Sequence, residues 1–315
     1  MEIYQLRYFV AVAHAGSFSR AAEKCHVAQP SLSQQIAKLE QHLGQRLFHR
    51  LGRRVVLTDA GQLLLERATA ILSAVDDTER QLRDGSNSQG GRLAVGAIPT
   101  IAPYFLPLVL EKFLGRYPNV ELTVHEDVTL RLIEATAKGE IDLALMALPI
   151  TDTRLVVEPL LTEPLLLAMP PDHPLAAQEQ VTLDDLRQER FIVLDEMHCL
   201  GEQILSFCRA NECLPRVSCR SAQISTIQSL ITTGQGVSLL PAMTRHTDGK
   251  QRTYRLLSST QPTRTIAVIW HRHRYHSLAE HQFLAEVRAA ARELESGDRQ
   301  LYGSPDCGLP GSTTQ

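Results

Sequence analysis

The sequence predicts an α/β chain in two parts: a small helical head carrying a hairpin, and a larger body of alternating strands and helices. Three observations carry this. Apolar residues recur at helical spacing as far as Leu43. A stretch rich in Gly, Ser and Asn at 84–91 then reads as a linker. Beyond it, short apolar runs alternate with amphipathic ones, the mark of an α/β domain.

In the head, Leu6, Phe9, Val10 and Ala13 place a first helix, which Gly16-Ser17 should end. Ser17 or Ser19 is suited to cap a short second helix starting at Phe18-Ser19-Arg20-Ala21-Ala22. Val27-Ala28-Gln29-Pro30 reads as a turn, with Pro30 at a first helical position. A third helix is expected over 31–43, with Leu32, Ile36, Leu39 and Leu43 on its buried face. Residues 50–57 read as a hairpin tipped by Gly52-Arg53-Arg54, and Thr58-Asp59-Ala60-Gly61 as the cap of a long helix. Along that helix Leu64, Ala68, Ile71, Val75 and Leu82 form a heptad seam, as in a dimer coiled coil.

In the body, strands are expected at 93–97, 120–125, 141–146, 156–161, 165–169, 191–194, 216–220, 237–240 and 265–270. Helices are expected at 103–116, 130–138, 199–208, 224–233 and 278–294. This alternation implies mostly parallel sheets, and residues 92–295 suffice for two such subdomains with a cleft between them. The expected domains are therefore 1–60, a linker helix and hinge at 61–90, a body at 91–295, and a disordered tail at 296–315, rich in Gly, Pro, Ser and Thr.

Net charge is −3 over 315 residues, yet residues 1–60 hold eight Lys/Arg against four acids. A basic head on an acidic body is the asymmetry of a nucleic-acid reader with a separate body. The most apolar stretch, 156–169, is broken by Glu158 and Glu163, and no run reaches the ~18 apolar residues that a membrane span needs. The first seven residues lack the basic-then-apolar pattern of a signal peptide, so a cytoplasmic protein with reduced thiols and no membrane partner is expected.

A helix entering the major groove needs short polar side chains at its N-terminal end. Gln29, Pro30, Ser31, Ser33, Gln34 and Gln35 form that tip, and Lys38 is placed to reach a phosphate. Arg50, Arg53 and Arg54 on the hairpin would touch the DNA backbone or minor groove as a wing. Polar tip, basic wing and seam helix occur in the order of a winged helix-turn-helix.

Six cysteines occur: Cys25, Cys199, Cys208, Cys213, Cys219 and Cys307. None forms a CxxC, and neither Cys25-His26 nor His271, His273 and His276 has structural zinc spacing, so no metal or cofactor is expected. Cys199 lies near the start of an expected helix, where free amides favour a thiolate, with His198 beside it. Cys208 is nine residues on. A continuous helix would separate the two by ~13.5 Å and place them on opposite faces. A disulfide needs Cα atoms within ~7 Å, so any bond between them requires the helix to melt. Two packed, inert cysteines remain the alternative.

The head resembles the LysR-type transcription regulators. The resemblance rests on Leu6-Arg7-Tyr8-Phe9-Val10-Ala11-Val12-Ala13, Gly16-Ser17-Phe18-Ser19-Arg20-Ala21-Ala22, Gln29-Pro30-Ser31-Leu32-Ser33-Gln34-Gln35-Ile36, Leu47-Phe48-His49-Arg50 and Leu57-Thr58-Asp59-Ala60-Gly61. It implies an effector domain like that of periplasmic binding proteins, a dimer of dimers, and two partners besides itself: promoter DNA and RNA polymerase. His198-Cys199-Leu200-Gly201-Glu202-Gln203, Phe207-Cys208 and Gly234-Gln235-Gly236-Val237-Ser238-Leu239-Leu240-Pro241 resemble the peroxide-sensing branch of that family. On that resemblance Cys199 is the peroxidatic thiol and Cys208 the resolving one, and Thr100, Thr129, His198 and Arg264 position the peroxide. It further implies activation of antioxidant genes and resetting by a thiol reductant of glutaredoxin or thioredoxin type. The segment 244–259 departs from the pattern, and Cys213 and Cys219 lie near enough to compete with Cys208. Two other readings are a LysR-type regulator with a small organic effector in its cleft, and a thiol peroxidase, which would have no use for the basic head.

Overall fold

The head packs three helices, α1 (Ile3–Ala15), α2 (Phe18–Lys24) and α3 (Gln29–Leu43), against the hairpin β1 (Phe48–Leu51) and β2 (Arg54–Leu57). The computed structural model describes every residue except 52–53, 85–89, 179–180, 196–198, 214, 250, 259 and 303–315. It divides into two compact units, Met1–Ser86 and Asn87–Gln315. Leu6, Phe9, Val12, Ala21, Leu32, Ile36, Leu39, Leu47 and Phe48 close the core of the first. Leu6, Phe9, Leu32, Ile36 and Leu39 are positions the expected helical period selects; Val10 and Ala13 are only half-buried against this core, and Leu43 is 37% exposed one turn beyond it.

Gly16, at φ +58°, ends α1. The chain then turns into α2 from Ser17, whose side chain makes no cap bond. Pro30 stands in the first turn of α3, which begins at Gln29. Thr58 caps α4 (Asp59–Asp84), its Oγ1 accepting from Gly61 N at 3.0 Å. The expected seam on α4 is split. Ala68 is fully buried and Leu64, Leu65 and Leu72 pack on the same core, whereas Leu63, Ile71 and Leu82 are exposed. The first half of α4 therefore has a neighbour in its own unit, and Arg7 of α1 reaches Asp76 at 3.0 Å.

The second unit is built on one seven-stranded sheet. Its strands are β3 (Gly90–Ala97), β4 (Asn119–Glu126), β5 (Leu143–Ala147), β6 (Leu155–Met169), β9 (Ser238–Pro241), β10 (Thr253–Arg255) and β11 (Thr263–His271). A separate parallel pair joins β7 (Arg190–Leu194) to β8 (Arg216–Ser221). The sheet is mixed, which corrects the mostly parallel expectation. Only β4-β3-β5 run parallel; β11 is antiparallel to β5 and β6, and β6 to β9 and β10. The two runs expected as separate strands are one strand, β6. Its first part pairs with β11 and its last five residues pair with β9 and β10.

Two apolar cores divide along β6. The first extends to Leu161 and includes α5 (Ala102–Arg116) and α10 (Leu278–Tyr302); α6 (Thr129–Lys138) lies over it through Leu132. The second begins at Leu165 and takes in α7 (Leu183–Leu186), α8 (Cys199–Ala210) and α9 (Ile224–Thr232). Helix α10 continues to Tyr302, so the tail expected from 296 begins later, and its remainder lies outside the described residues. No helix among the described residues is long and apolar enough to cross a membrane.

Candidate functional site

In the first unit, α3 offers a polar stripe. At ~100° per residue, Pro30, Gln34 and Lys38 fall together, opposite Leu32, Ile36 and Leu39. All three are exposed, as are Gln29 and Ser31, while Ser33 is half-buried. Gln35 is different: its Oε1 accepts from Gln5 Nε2 at 3.2 Å and from Tyr4 Oη at 3.4 Å. It fastens α3 to α1 and does not belong to the polar tip. Glu40 anchors the hairpin, accepting from Leu47 N at 2.8 Å and Phe48 N at 3.3 Å. Arg50 and Arg54 fall on β1 and β2, and Arg53 lies outside the described residues.

In the second unit, three helix starts converge on one recess. Thr100 precedes α5, Thr129 opens α6 and Cys199 opens α8. These three, with Ile98 and Val128, line one tight recess. Each helix start presents amides with no partner inside its helix, so the recess favours negative charge. Cys199 is half-buried and packs against the first core although its helix belongs to the second. Gln203, one turn on, donates to Leu148 O at 2.8 Å and holds α8 to the first core.

Arg264 stands behind this recess and does not line it. Its side chain is fully buried. Nη1 donates to Thr100 Oγ1 at 2.9 Å, Nη2 to Thr100 O at 3.1 Å and Nε to Glu163 Oε1 at 2.8 Å. Glu163 Oε2 accepts from Met243 N at 2.8 Å. Because Thr100 Oγ1 accepts from Arg264, its own proton is left to point elsewhere. Glu163 and Met243 were missed from the sequence. The signal was present: a carboxylate inside an apolar strand needs a buried cation. Glu158, the other acid in that strand, is matched by Arg288 at 2.7 Å. His198, expected beside the thiol, lies outside the described residues.

Cys208 is buried near the far end of α8, and burial pushes its thiol up to about 11. Nine unbroken helical residues hold it ~13.5 Å from Cys199. Cys213 is fully buried, its thiol raised by burial, and its Sγ donates to Leu183 O at 3.0 Å. Cys219 is half-buried on β8, and Cys307 lies outside the described residues.

Residues 3–62 match the bacterial regulatory helix-turn-helix model of the lysR family, and residues 86–292 match the LysR substrate binding domain. The chain belongs to the LysR family of transcription regulators. Members of this family are DNA-binding regulators rather than enzymes. The chain is 35% identical to the dual regulator OxyR of Escherichia coli K12 over 289 residues, covering 89% of this chain and 94% of OxyR. Full-length OxyR of Pseudomonas aeruginosa, solved with a cysteine-to-aspartate substitution, matches with a TM-score of 0.72 at 31% identity. That match covers 93% of this LysR chain and 95% of the other. An H2O2-bound cysteine-to-serine mutant of Corynebacterium glutamicum OxyR matches at 30% identity and a TM-score of 0.61, covering 98% of each chain.

Proposed function

We propose that this LysR-type regulator senses hydrogen peroxide through Cys199 and signals through a Cys199–Cys208 disulfide that changes its DNA contacts and activates antioxidant genes. One observation carries the reading: Cys199 opens α8 on a small recess with Thr100 and Thr129, while Cys208 is buried at the other end of the same helix. Recess size favours peroxide over an organic effector. Sites for small organic ligands enclose roughly 300–1,000 Å³, and this recess is closed far below that size. The names of the OxyR relatives, and the H2O2-bound state of one of them, point the same way.

The chemistry runs in two steps. The Cys199 thiolate attacks one peroxide oxygen, the O–O bond breaks, and Cys199 sulfenic acid and hydroxide form. Thr100, its hydroxyl held by Arg264, and Thr129 donate to the oxygens as charge moves onto the leaving one. The Cys208 sulfur then displaces water from the sulfenic acid, forming the disulfide. This second step requires α8 to unwind, because the intact helix keeps the sulfurs apart. Unwinding also removes Cys208 from the burial that keeps it protonated. His198 completes the peroxide site.

In this reading residues 1–60 read DNA through Gln29, Pro30, Ser31, Ser33, Gln34, Lys38, Arg50, Arg53 and Arg54. Residues 61–90 dimerise, residues 91–295 sense, and two dimers pair on the promoter to engage RNA polymerase. A glutaredoxin- or thioredoxin-type reductant resets the disulfide.

Mass spectrometry after mild peroxide, with footprints of the protein's own upstream region, tests this. A Cys199–Cys208 linked peptide and a footprint that shifts on oxidation are expected. A Cys199→Ser protein whose footprint still shifts with peroxide would sink the proposal.

A further inference from the structure

The largest of the recesses described lies away from Cys199, between the turn Ala242–Thr247 and β10. It is lined by Arg245, Asp248, Arg252, Thr253, Tyr254 and Arg255, and encloses about 250 Å³. We propose that it binds a small organic dianion, a dicarboxylate or a phosphorylated metabolite, as a second ligand site independent of peroxide.

Charge is the first argument. Three guanidinium groups and one carboxylate line the recess. Among the described residues Arg255 is held by backbone carbonyls: Nε donates to Gln178 O at 3.3 Å, Nη1 to Tyr254 O at 3.2 Å and Nη2 to Ala176 O at 2.8 Å. Carbonyls fix a guanidinium without neutralising it. A fork held in this way suits carboxylate and phosphate oxygens.

Burial is the second. Arg252 and Asp248 form an ion pair whose side chains are only 7% and 2% exposed. Arg252 also donates to Gln228 O at 2.7 Å. Even so, Arg252 Nε and Asp248 Oδ2 have no partner among the described residues. Buried polar atoms are ordinarily satisfied, so an orphaned donor and acceptor on the wall of a recess mark a place where a ligand or its water belongs. At about 250 Å³ the recess lies just under the roughly 300 Å³ lower end of small-molecule sites, room for a small dianion, unlike the closed recess at Cys199.

Location is the third. Residues 245–255 lie inside 244–259, the segment that departs from the peroxide-sensing pattern. It also has a route to the thiol site. Tyr104 on α5 packs on both cores and lies within electrostatic reach of Arg252, Tyr254 and Arg264, and burial pushes its hydroxyl up to about 12. Arg264 in turn holds Thr100. An anion on Arg252 would change the field at Tyr104 and Arg264 and so adjust the setting of Thr100.

Titration calorimetry on the reduced full-length protein at fixed ionic strength tests this, with inorganic phosphate and succinate as probes. Saturable binding of either at one per chain is expected, and whichever binds more tightly identifies the anionic group. Arg245→Ala, on an exposed residue, and Arg255→Lys, which keeps the charge but loses the fork, should each weaken binding about tenfold or more, with thermal midpoints checked for folding. Absence of saturable binding by both probes up to about 10 mM, or affinity unchanged in both folded variants, would overturn the proposal.

Discussion

Arg264 and Glu163 are opposite one another in the β11–β6 register, bonded at 2.8 Å with both side chains out of solvent, where β6 passes from one core to the other. Neither charge has water to fall back on. Removing one partner of such a pair strands the other, at a cost of about 3–5 kcal/mol. Glu163→Ala should therefore lower the unfolding free energy of the second unit by that order, read from its urea melt. Arg264→Met with Glu163→Leu, which removes both charges, should recover much of the loss.

Cys208 links stability to pH. Its folded pKa lies above the ordinary value near 9, at about 11, because burial disfavours the thiolate. The folded state thus retains a proton that the unfolded state gives up. The contribution is fully present below pH 9 and is lost as pH rises towards 11. Stability of the reduced protein should fall across this window, and less steeply in Cys208→Ala. At pH 7.5 iodoacetamide should label Cys199 well before Cys208.

Two glycines are expected to respond oppositely to alanine. A Cβ on Gly61 would stand 2.2 Å from the carbonyl oxygen of Leu47, which already accepts from Thr58 N at 3.0 Å. Gly61→Ala must push the start of α4 off the hairpin, at a cost of about 1–3 kcal/mol. Gly115 lies in α5 with open space around it, so Gly115→Ala should stabilise by about 0.5–1 kcal/mol. Thermal melts of the two variants read both effects.

On DNA, Lys38→Ala should weaken binding about equally for all sequences and reduce the salt slope by about one. Gln34→Ala should instead relax base preference, by about 1–3 kcal/mol at a single position. Fluorescence anisotropy over a salt series separates the two. Gln35→Ala should act mainly through stability, since its side chain is spent on α1.

The head was legible because its signals are local. A turn, a cap and an apolar period each act within one or two helical turns, and α1 to α4 begin and end within a few residues of where those signals place them. Cys199 at the first position of α8 was legible for the same reason. The direction of the strands was not. Residues 156–169 read as two apolar runs, and nothing within them shows that one continuous strand serves both cores, antiparallel to β11. The seam of α4 was half legible: its period was apparent, but not that α1 already covers part of it.

The sequence by itself determined the family, the helix that presents Gln34 and Lys38, and the spacing that keeps Cys199 and Cys208 apart as long as their helix is intact. The resemblance named Thr100 and Thr129 beside the thiol, but tertiary structure decided how they reach it and what stands behind them. It brought Thr100 and Thr129 to Cys199 from two other helix starts, and set Arg264 behind Thr100 with Glu163 as its counter-charge. Local order follows from short-range sterics and hydrogen bonding, which the sequence encodes position by position. A site assembled from residues about 30 to 160 positions apart depends on which faces of the chain bury one another, and only the folded core settles that.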